Sequence, residues 1–299
     1  MSQARVIGFV GVGVMGNPMA KHLIDKGHEV IVYDRSAQAC EAMRVAGARV
    51  AASTLDVCNT APVVFTSLPS PAVFTEVMVG DGGIKDGRAV KIAIDLSTVG
   101  SRATRAAAAG LLAQGIDLVD APVSGGAAGA KSATLAVMVA GRDEAVAQVA
   151  DLLTIFGKLF RVGPEPGQAQ LLKLLNNMLS STALAITSEA FVAGIKGGLD
   201  PQIMMAAINA GSGRSGASMD KFMKQILPGT FDFGFPVSSV CKDIGLAIEE
   251  CEALGVPMWV GNSARQLWNF AKLHDGPNRD MTELVKSISS WADGGKQGG

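Results

Sequence analysis

Short apolar bursts alternate with helix-periodic stretches through the first 165 residues. The bursts cover 6–10, 30–33, 63–67, 90–95, 118–121, 134–139 and 159–162. Between them, 15–26, 37–46, 101–114 and 144–156 repeat their apolar positions every three to four residues. Such alternation predicts βαβ units on a mainly parallel sheet. The strands are apolar almost throughout, which fits a sheet covered on both faces. After Pro166 the strand pattern stops. Residues 167–195 read as one long helix, apolar on nearly every side, which predicts burial all round, between domains or between subunits. Further helices are expected over 201–210, 218–227, 240–254, 257–272 and 281–291, several bounded by Gly or Pro. The fold class is therefore α/β: a doubly wound parallel sheet, a long interdomain helix and an all-helical C-terminal domain. The divisions fall at 1–165, 166–195 and 196–299, with a disordered tail from about 293.

Composition narrows the partners. The 299 residues suit two domains, and 48 % apolar against 18 % charged residues supports a large core. Lys plus Arg is 26 and Asp plus Glu is 27, so the basic excess of a duplex-binding domain is missing and no nucleic-acid partner is expected. No apolar run approaches the ~18 residues of a membrane span, and the first residues lack a signal-peptide pattern. Cys40, Cys58, Cys241 and Cys251 have neither metal nor redox spacing and read as reduced thiols. No metal site is expected, and the compartment expected is the cytoplasm.

Glycine is the anomaly, at 36 residues, with no triplet repeat that would indicate collagen. Three of the 36 have a specific use. A strand runs into Gly11-Val-Gly13-Val14-Met15-Gly16 and then into a helix. Gly11 permits the tight turn, Gly13 lets backbone approach a pyrophosphate, and Gly16 lets helix and strand pack closely. The helix N-terminus adds free N–H groups and a positive dipole end. A second strand ends at Asp34, at the spacing of an acid that binds adenosine ribose hydroxyls. Its charge repels a 2′-phosphate and favours NAD. Arg35 and Ser36 could hold that phosphate, and so NADP, if Asp34 turned away.

Proton-transfer chemistry has one good candidate. His22, His28 and His274 are better read as structural or solvent-facing. Lys173 sits in Leu171-Leu172-Lys173-Leu174-Leu175, an expensive place for a charge. Its ammonium can donate a proton to a carbonyl oxygen as hydride reaches the carbon; in reverse, a neutral amine takes the alcohol proton, which burial favours. Asn177, four residues on, shares its helix face and could bond the lysine or the substrate. A snorkelling lysine is the competing reading. Asp120-Ala-Pro-Val-Ser124-Gly125-Gly126 follows a strand and reads either as an anion-holding nest or as a plain turn.

Taken together, these segments resemble the β-hydroxyacid dehydrogenase family over about residues 5–291. Gly8 to Ala20 matches the opening signature, and Asp120 to Gly126 the substrate-binding turn. Lys173-Leu-Leu-Asn-Asn177 matches the catalytic lysine and its asparagine. Lys242-Asp243, seven residues after Phe235, matches the pair that closes over cofactor and substrate. The resemblance implies a Rossmann-type N-terminal domain and a helical C-terminal domain used to form a homodimer or homotetramer. It implies that Lys173 is the general acid/base and that Ser124, Gly125, Gly126, Phe235 and Lys242 meet a small carboxylate-bearing substrate. The cofactor would touch Gly11, Gly13, Val14, Met15, Gly16, Asp34, Arg35, Leu68, Pro69, Val73, Thr98, Lys242 and Asp243. The reaction implied interconverts a β-hydroxyacid and its semialdehyde or oxoacid. One departure stands out: the glycine that most relatives carry four residues before the lysine is absent, the nearest being Gly167. That opening is similar to imine reductases, which carry Asp or Tyr where Lys173 stands. An imine reductase is thus the alternative enzyme, and a non-catalytic nucleotide-binding module the alternative of another class.

Overall fold

The computed structural model describes residues 4–294. Of the tail expected to be disordered, Asp293 and Gly294 form a turn after the last helix, and the rest lies outside the described residues. The chain divides into two compact units, Met1–Lys173 and Leu174–Gly299.

The first unit runs β1 (Val6–Val10), α1 (Gly16–Asp25), β2 (Glu29–Tyr33), α2 (Ala37–Val45), β3 (Arg49–Val50), α3 (Thr54–Cys58), β4 (Val63–Thr66), α4 (Pro71–Val79), β5 (Ile92–Asp95), α5 (Ser101–Leu112), β6 (Asp117–Asp120), β7 (Val123–Ser124), α6 (Gly126–Ser132), β8 (Leu135–Ala140), α7 (Asp143–Leu153) and β9 (Gly157–Gly163), then enters α8 (Gln168–Lys196). The sheet order is β3-β2-β1-β4-β5-β6-β8-β7, with β9 paired to β8. From β3 to β6 every pairing is parallel; β8 runs antiparallel to β6 and β7. Strand order reverses direction between β1 and β4, and ligands of such sheets sit at the carboxyl ends of strands beside that switch.

Both faces of the sheet are covered, as the strand composition requires. Phe9, Phe65 and Ile94 pack with Met19 and Leu23 of α1 and with Leu152 and Phe156 at and just beyond the end of α7. Val10, Val64 and Ala93, offset by one position, pack with Val57 of α3, Phe74 and Met78 of α4, and Leu111 of α5. The period-two alternation of side chains thus serves two apolar layers.

The second unit holds the rest of α8 with α9 (Pro201–Ala210), a π-helical segment (Ala217–Ile226), α10 (Val237–Ala253), α11 (Trp259–Asp275) and α12 (Leu284–Ala292). Its core gathers Leu184, Phe222, Val240, Ile244, Ile248 and Trp268.

Leu172, Leu179, Ile186 and Ile195 of α8 are exposed in the single chain, Leu179 by 68 %, so the cover expected for this helix is not supplied within the chain. One expectation needs correction: the chain does have a helix that is long and apolar enough to cross a membrane. α8 meets that test, with an 18-residue window of mean hydropathy 1.4. The polar Ser, Thr and Asn of α8 interrupt any unbroken apolar run without lowering the mean far. Leu184, Ala185 and Val192 of this helix enter the second unit's core, as in a core helix of a folded domain.

Candidate active site

The glycine turn stands at the end of β1, beside the switch point. Gly11 has φ +89°, and a Cβ there would lie 2.3 Å from the Ser67 carbonyl oxygen. At Gly16 a Cβ would lie 2.0 Å from the Gly11 oxygen, which is the close helix–strand packing expected of the third glycine. Gly13 differs: a Cβ there meets nothing within 4 Å. Its missing side chain leaves space on the outer side of the turn, where a dinucleotide backbone would approach. The first turn of α1 has no side-chain cap and no acidic residue, so its positive dipole end is not neutralised by the chain's own side chains. Val14 is 74 % exposed at the tip, and Met15 is half-buried beside it. A pocket of about 580 Å³ adjoins, lined among others by Val12, Gly13, Val14, Asn17, Ser36 and Lys131.

These observations separate two substitutions. Gly16→Val should destabilise the protein by more than ~4 kcal/mol or prevent folding, because backbone occupies the space. Gly13→Ala should leave Tm within about 2 °C and weaken dinucleotide binding at least tenfold, on the order of 1.4 kcal/mol. Calorimetry with and without dinucleotide reads both; unaltered affinity in Gly13→Ala would exclude the turn from cofactor contact.

Asp34 directly follows β2 and already holds the turn. Its Oδ2 accepts from Val12 N and its Oδ1 from Ser36 N, both at 2.8 Å. Each oxygen retains a second lone-pair direction for a ribose hydroxyl. Arg35 is exposed next to it. Leu68 and Pro69 follow β4, and Asp95 organises this edge from the end of β5. Its buried Oδ1 accepts from Thr66 Oγ1 at 2.7 Å and from Ser97 Oγ at 2.6 Å, and Ser97 Oγ in turn accepts from Leu68 N at 2.8 Å. Thr98 is half-buried one residue beyond Ser97, and Val73 N is capped by Ser70 Oγ at the start of α4.

Ser124 ends β7, and Gly125 and Gly126 open α6 with φ +137° and +63°. Both values lie in the region that favours glycine. Space beside Gly126 is open, since a Cβ there meets nothing within 4 Å. At the other end of this motif, Asp120 is fully buried. Its Oδ2 accepts from Gly167 N at 2.8 Å and Gln170 N at 3.1 Å, and its Oδ1 from Gln170 Nε2 at 2.9 Å. Asp120 therefore caps α8 from a neighbouring strand. Burial pushes its carboxyl up to about 7, against the pull of these three donors. Gln170 also binds Val99 N, Gly100 N and the Ser97 carbonyl. Lys173, three residues after Gln170, is only 7 % exposed. The missing glycine is accounted for: Ala169 stands there, fully buried with Met138, Ala140 and Val162, and α8 runs through it unbroken.

Asn177, at i+4 from Lys173 on α8, donates Nδ2 to Asp243 Oδ2 at 2.6 Å within the second unit. Asp243 is 2 % exposed, and its Oδ1 pairs with Lys242 Nζ at 2.8 Å. The Lys-Asp pair thus forms a brace on Asn177. Phe235 is half-buried before α10, its N–H held by Asp280 Oδ2 at 3.2 Å. The histidines do other work: His22 Nε2 meets the Ala130 carbonyl, His28 is buried with its pKa lowered chiefly by that burial, and His274 packs at a tilt against the Phe270 ring. All four cysteines are free and buried. Sequence reading missed Gln170, because its role comes from backbone partners some 70 residues away.

The chain is similar to known proteins over nearly its whole length. Residues 6–163 match a family described as the NAD binding domain of 6-phosphogluconate dehydrogenase, and 167–288 one described as NAD-binding of NADP-dependent 3-hydroxyisobutyrate dehydrogenase. The 2-(hydroxymethyl)glutarate dehydrogenase of Eubacterium barkeri is 34 % identical over 288 residues, covering 96 % of this chain and 95 % of that one. The 3-hydroxyisobutyrate dehydrogenase of Pseudomonas aeruginosa is 35 % identical over 283 residues, covering 92 % and 95 %. A solved structure of Mycobacterium tuberculosis 3-hydroxyisobutyrate dehydrogenase with L-serine superposes with a TM-score of 0.88 at 28 % identity, covering 96 % and 99 %. Two family matches in tandem, a glycine turn with room for a dinucleotide, and relatives that cover the chain nearly end to end converge: the chain belongs to the β-hydroxyacid dehydrogenase family and is an NAD(P)-dependent oxidoreductase.

Proposed function

We propose that the enzyme interconverts a small β-hydroxyacid and its semialdehyde, with Lys173 as the general acid/base. The observation that carries this reading is Lys173 itself, a cation 7 % exposed within a leucine run and one helical turn before Asn177. Bound NAD(P) supplies or accepts the hydride. Lys173 Nζ gives its proton to the carbonyl oxygen during reduction and takes the hydroxyl proton during oxidation. Asn177, braced by Asp243, orients the polar end of the reaction, and Lys242 and Phe235 meet the substrate or cofactor. Ser124 Oγ and the open amides at Gly125 and Gly126 take the carboxylate. Gly11, Gly13, Val14, Met15 and Gly16 hold the pyrophosphate; Asp34 and Arg35 flank the ribose; Leu68, Pro69, Val73 and Thr98 line the remaining cofactor edge. The lysine also speaks against an imine reductase, and a protein without chemistry would have little reason to bury it. The chain divides by role into a cofactor domain, the joining helix α8 and a helical domain.

Asp34 favours NAD, since its charge opposes a 2′-phosphate. The exposed Leu179 and Ile186, seven residues apart on α8, support a homodimer or homotetramer. A cytoplasmic site suits the free, buried cysteines.

The test is a panel containing 3-hydroxyisobutyrate, 2-(hydroxymethyl)glutarate and cyclic imines, assayed with NAD and NADP in parallel by nicotinamide absorbance. Turnover of hydroxyacids with NAD ahead of NADP is expected; activity confined to imines would reject the reading. Asp34→Asn should raise the NADP-to-NAD ratio of kcat/KM about tenfold or more by removing like-charge repulsion. An unchanged ratio would detach Asp34 from cofactor choice. Light scattering on the same preparation reads the assembly, and a monomer would reject the oligomer.

A further inference from the structure

Lys221 lies in a charged stretch of sequence but does not share its exposure. On the π-helical segment, Asp220 and Lys224 pair with each other at 2.6 Å and remain exposed. Lys221, adjacent to Asp220, turns inward and is 6 % exposed. Its Nζ donates to Ser180 Oγ at 3.0 Å and lies 4.8 Å from the Phe233 ring centroid. Among the described residues no carboxylate forms an ion pair with it. An ammonium has three donors, and here one has a protein acceptor. Taking such a charge out of water costs several kcal/mol unless a counter-charge compensates. Burial accordingly lowers the Lys221 pKa.

The partner of Lys221 ties it to the chemistry. Ser180 follows Lys173 and Asn177 on α8 at steps of four and three, so the three positions form one stripe along the helix. At ~1.5 Å rise per residue, Ser180 is about 4.5 Å past Asn177 along the helix axis. Arg214, the other cation that the sequence offers for a second anionic group, is exposed.

We propose that Lys221, with Ser180, receives a second carboxylate at the far end of the substrate, so that the enzyme acts on β-hydroxy dicarboxylic acids. The inference rests on the reading of the reaction given above. A neutral tail would leave the ammonium uncompensated and its remaining donors idle. A carboxylate supplies the counter-charge and accepts from both Lys221 and Ser180 as charge-assisted hydrogen bonds. The Phe233 ring face covers the ammonium on another side, holding it in place while the anion is absent.

The decisive measurement is the ratio of kcat/KM for 2-(hydroxymethyl)glutarate to that for 3-hydroxyisobutyrate. The wild-type ratio should exceed one, Lys221→Met should lower it about 100-fold, and Lys221→Arg should restore most of it. Ser180→Ala, which keeps the lysine, should lower it about fivefold and serves if Lys221→Met does not fold. A wild-type preference for the monocarboxylate, or an equal loss on both substrates, would overturn the proposal. If neither compound turns over, the reading of the reaction fails separately. Glutarate binding then decides this one: a Tm rise in wild type that Lys221→Met loses upholds it, and equal shifts in both overturn it.

Discussion

Lys173→Ala should lower kcat by about three orders of magnitude while dinucleotide affinity stays within threefold of wild type. General acid/base catalysis by a positioned group is worth ~10²–10⁴. Here the loss should fall at the upper end, because water is a poor substitute where the lysine is 7 % exposed. The dinucleotide contacts assigned to Gly11, Gly13 and Asp34 stand on β1, α1 and β2, so removing a side chain of α8 leaves them in place. Lys173→Arg separates charge from proton transfer. A guanidinium keeps the positive charge but does not release its proton near neutral pH, so it should be as inactive as alanine. Stopped-flow turnover with dinucleotide titration checks both variants. More than a tenth of wild-type kcat in either would remove Lys173 from proton transfer.

What sequence could reveal here depended on whether a feature was local. β1, with its run Val6–Val10, and α9, which opens at Pro201 with Asp200 accepting from Ile203 N, were legible to the residue, since apolar pattern and cap chemistry are written within a few positions. β3 was not: Arg49 and Val50 are both exposed, and only pairing with Ile31 and Val32 makes them a strand. α4 has its signal in Ser70 followed by Pro71, but the apolar residues of Ala72–Val79 lie on nearly every side and show little helical period, so no helix is expected there from pattern alone. At the site, the glycine turn, Lys173 and Asn177 were legible as motifs. Lys221 was not, because its neighbours Asp220 and Lys224 are solvated and nothing local distinguishes the lysine that turns inward. The exposed leucines of α8 show the converse limit: hydrophobicity says that a face wants cover, and not what covers it.

Gln170→Leu should cost about 3–5 kcal/mol and lower Tm by roughly 6–15 °C, the largest stability effect expected of a single side chain in the first unit that retains its volume. Leucine fills the same space, so the loss is polar and not a cavity. Gln170 Oε1 accepts from Val99 N at 2.9 Å and Gly100 N at 3.1 Å, and Nε2 donates to the Ser97 carbonyl and to Asp120 Oδ1. With leucine, two buried N–H groups, the Ser97 carbonyl and a carboxylate oxygen lose partners that water cannot replace, the unsatisfied groups at ~1–3 kcal/mol each before relaxation. Gln170→Ala should be milder in proportion to the water it admits. Asp120 makes the effect depend on pH. Its carboxyl is raised to about 7 in the folded protein, above an unfolded value near ~4. Between those values the folded state binds the extra proton, so this contribution is full below pH ~4 and is lost as pH rises to about 7. The wild type should therefore lose on the order of 2–4 kcal/mol relative to Asp120→Asn between pH 4 and 8, as the carboxylate becomes charged in its buried place. Asparagine still accepts from Gly167 N and Gln170 N but turns a donor toward Gln170 Nε2; that fault offsets the curve without tilting it. Denaturant unfolding of the two proteins across that range gives the slope directly. A difference that stays flat, or grows in favour of the wild type with rising pH, would mean that the three N–H donors and the start of α8 hold Asp120 ionised throughout. The first turn of α8, which leads to Lys173, would then be fixed by a permanent charge instead of a titrating one.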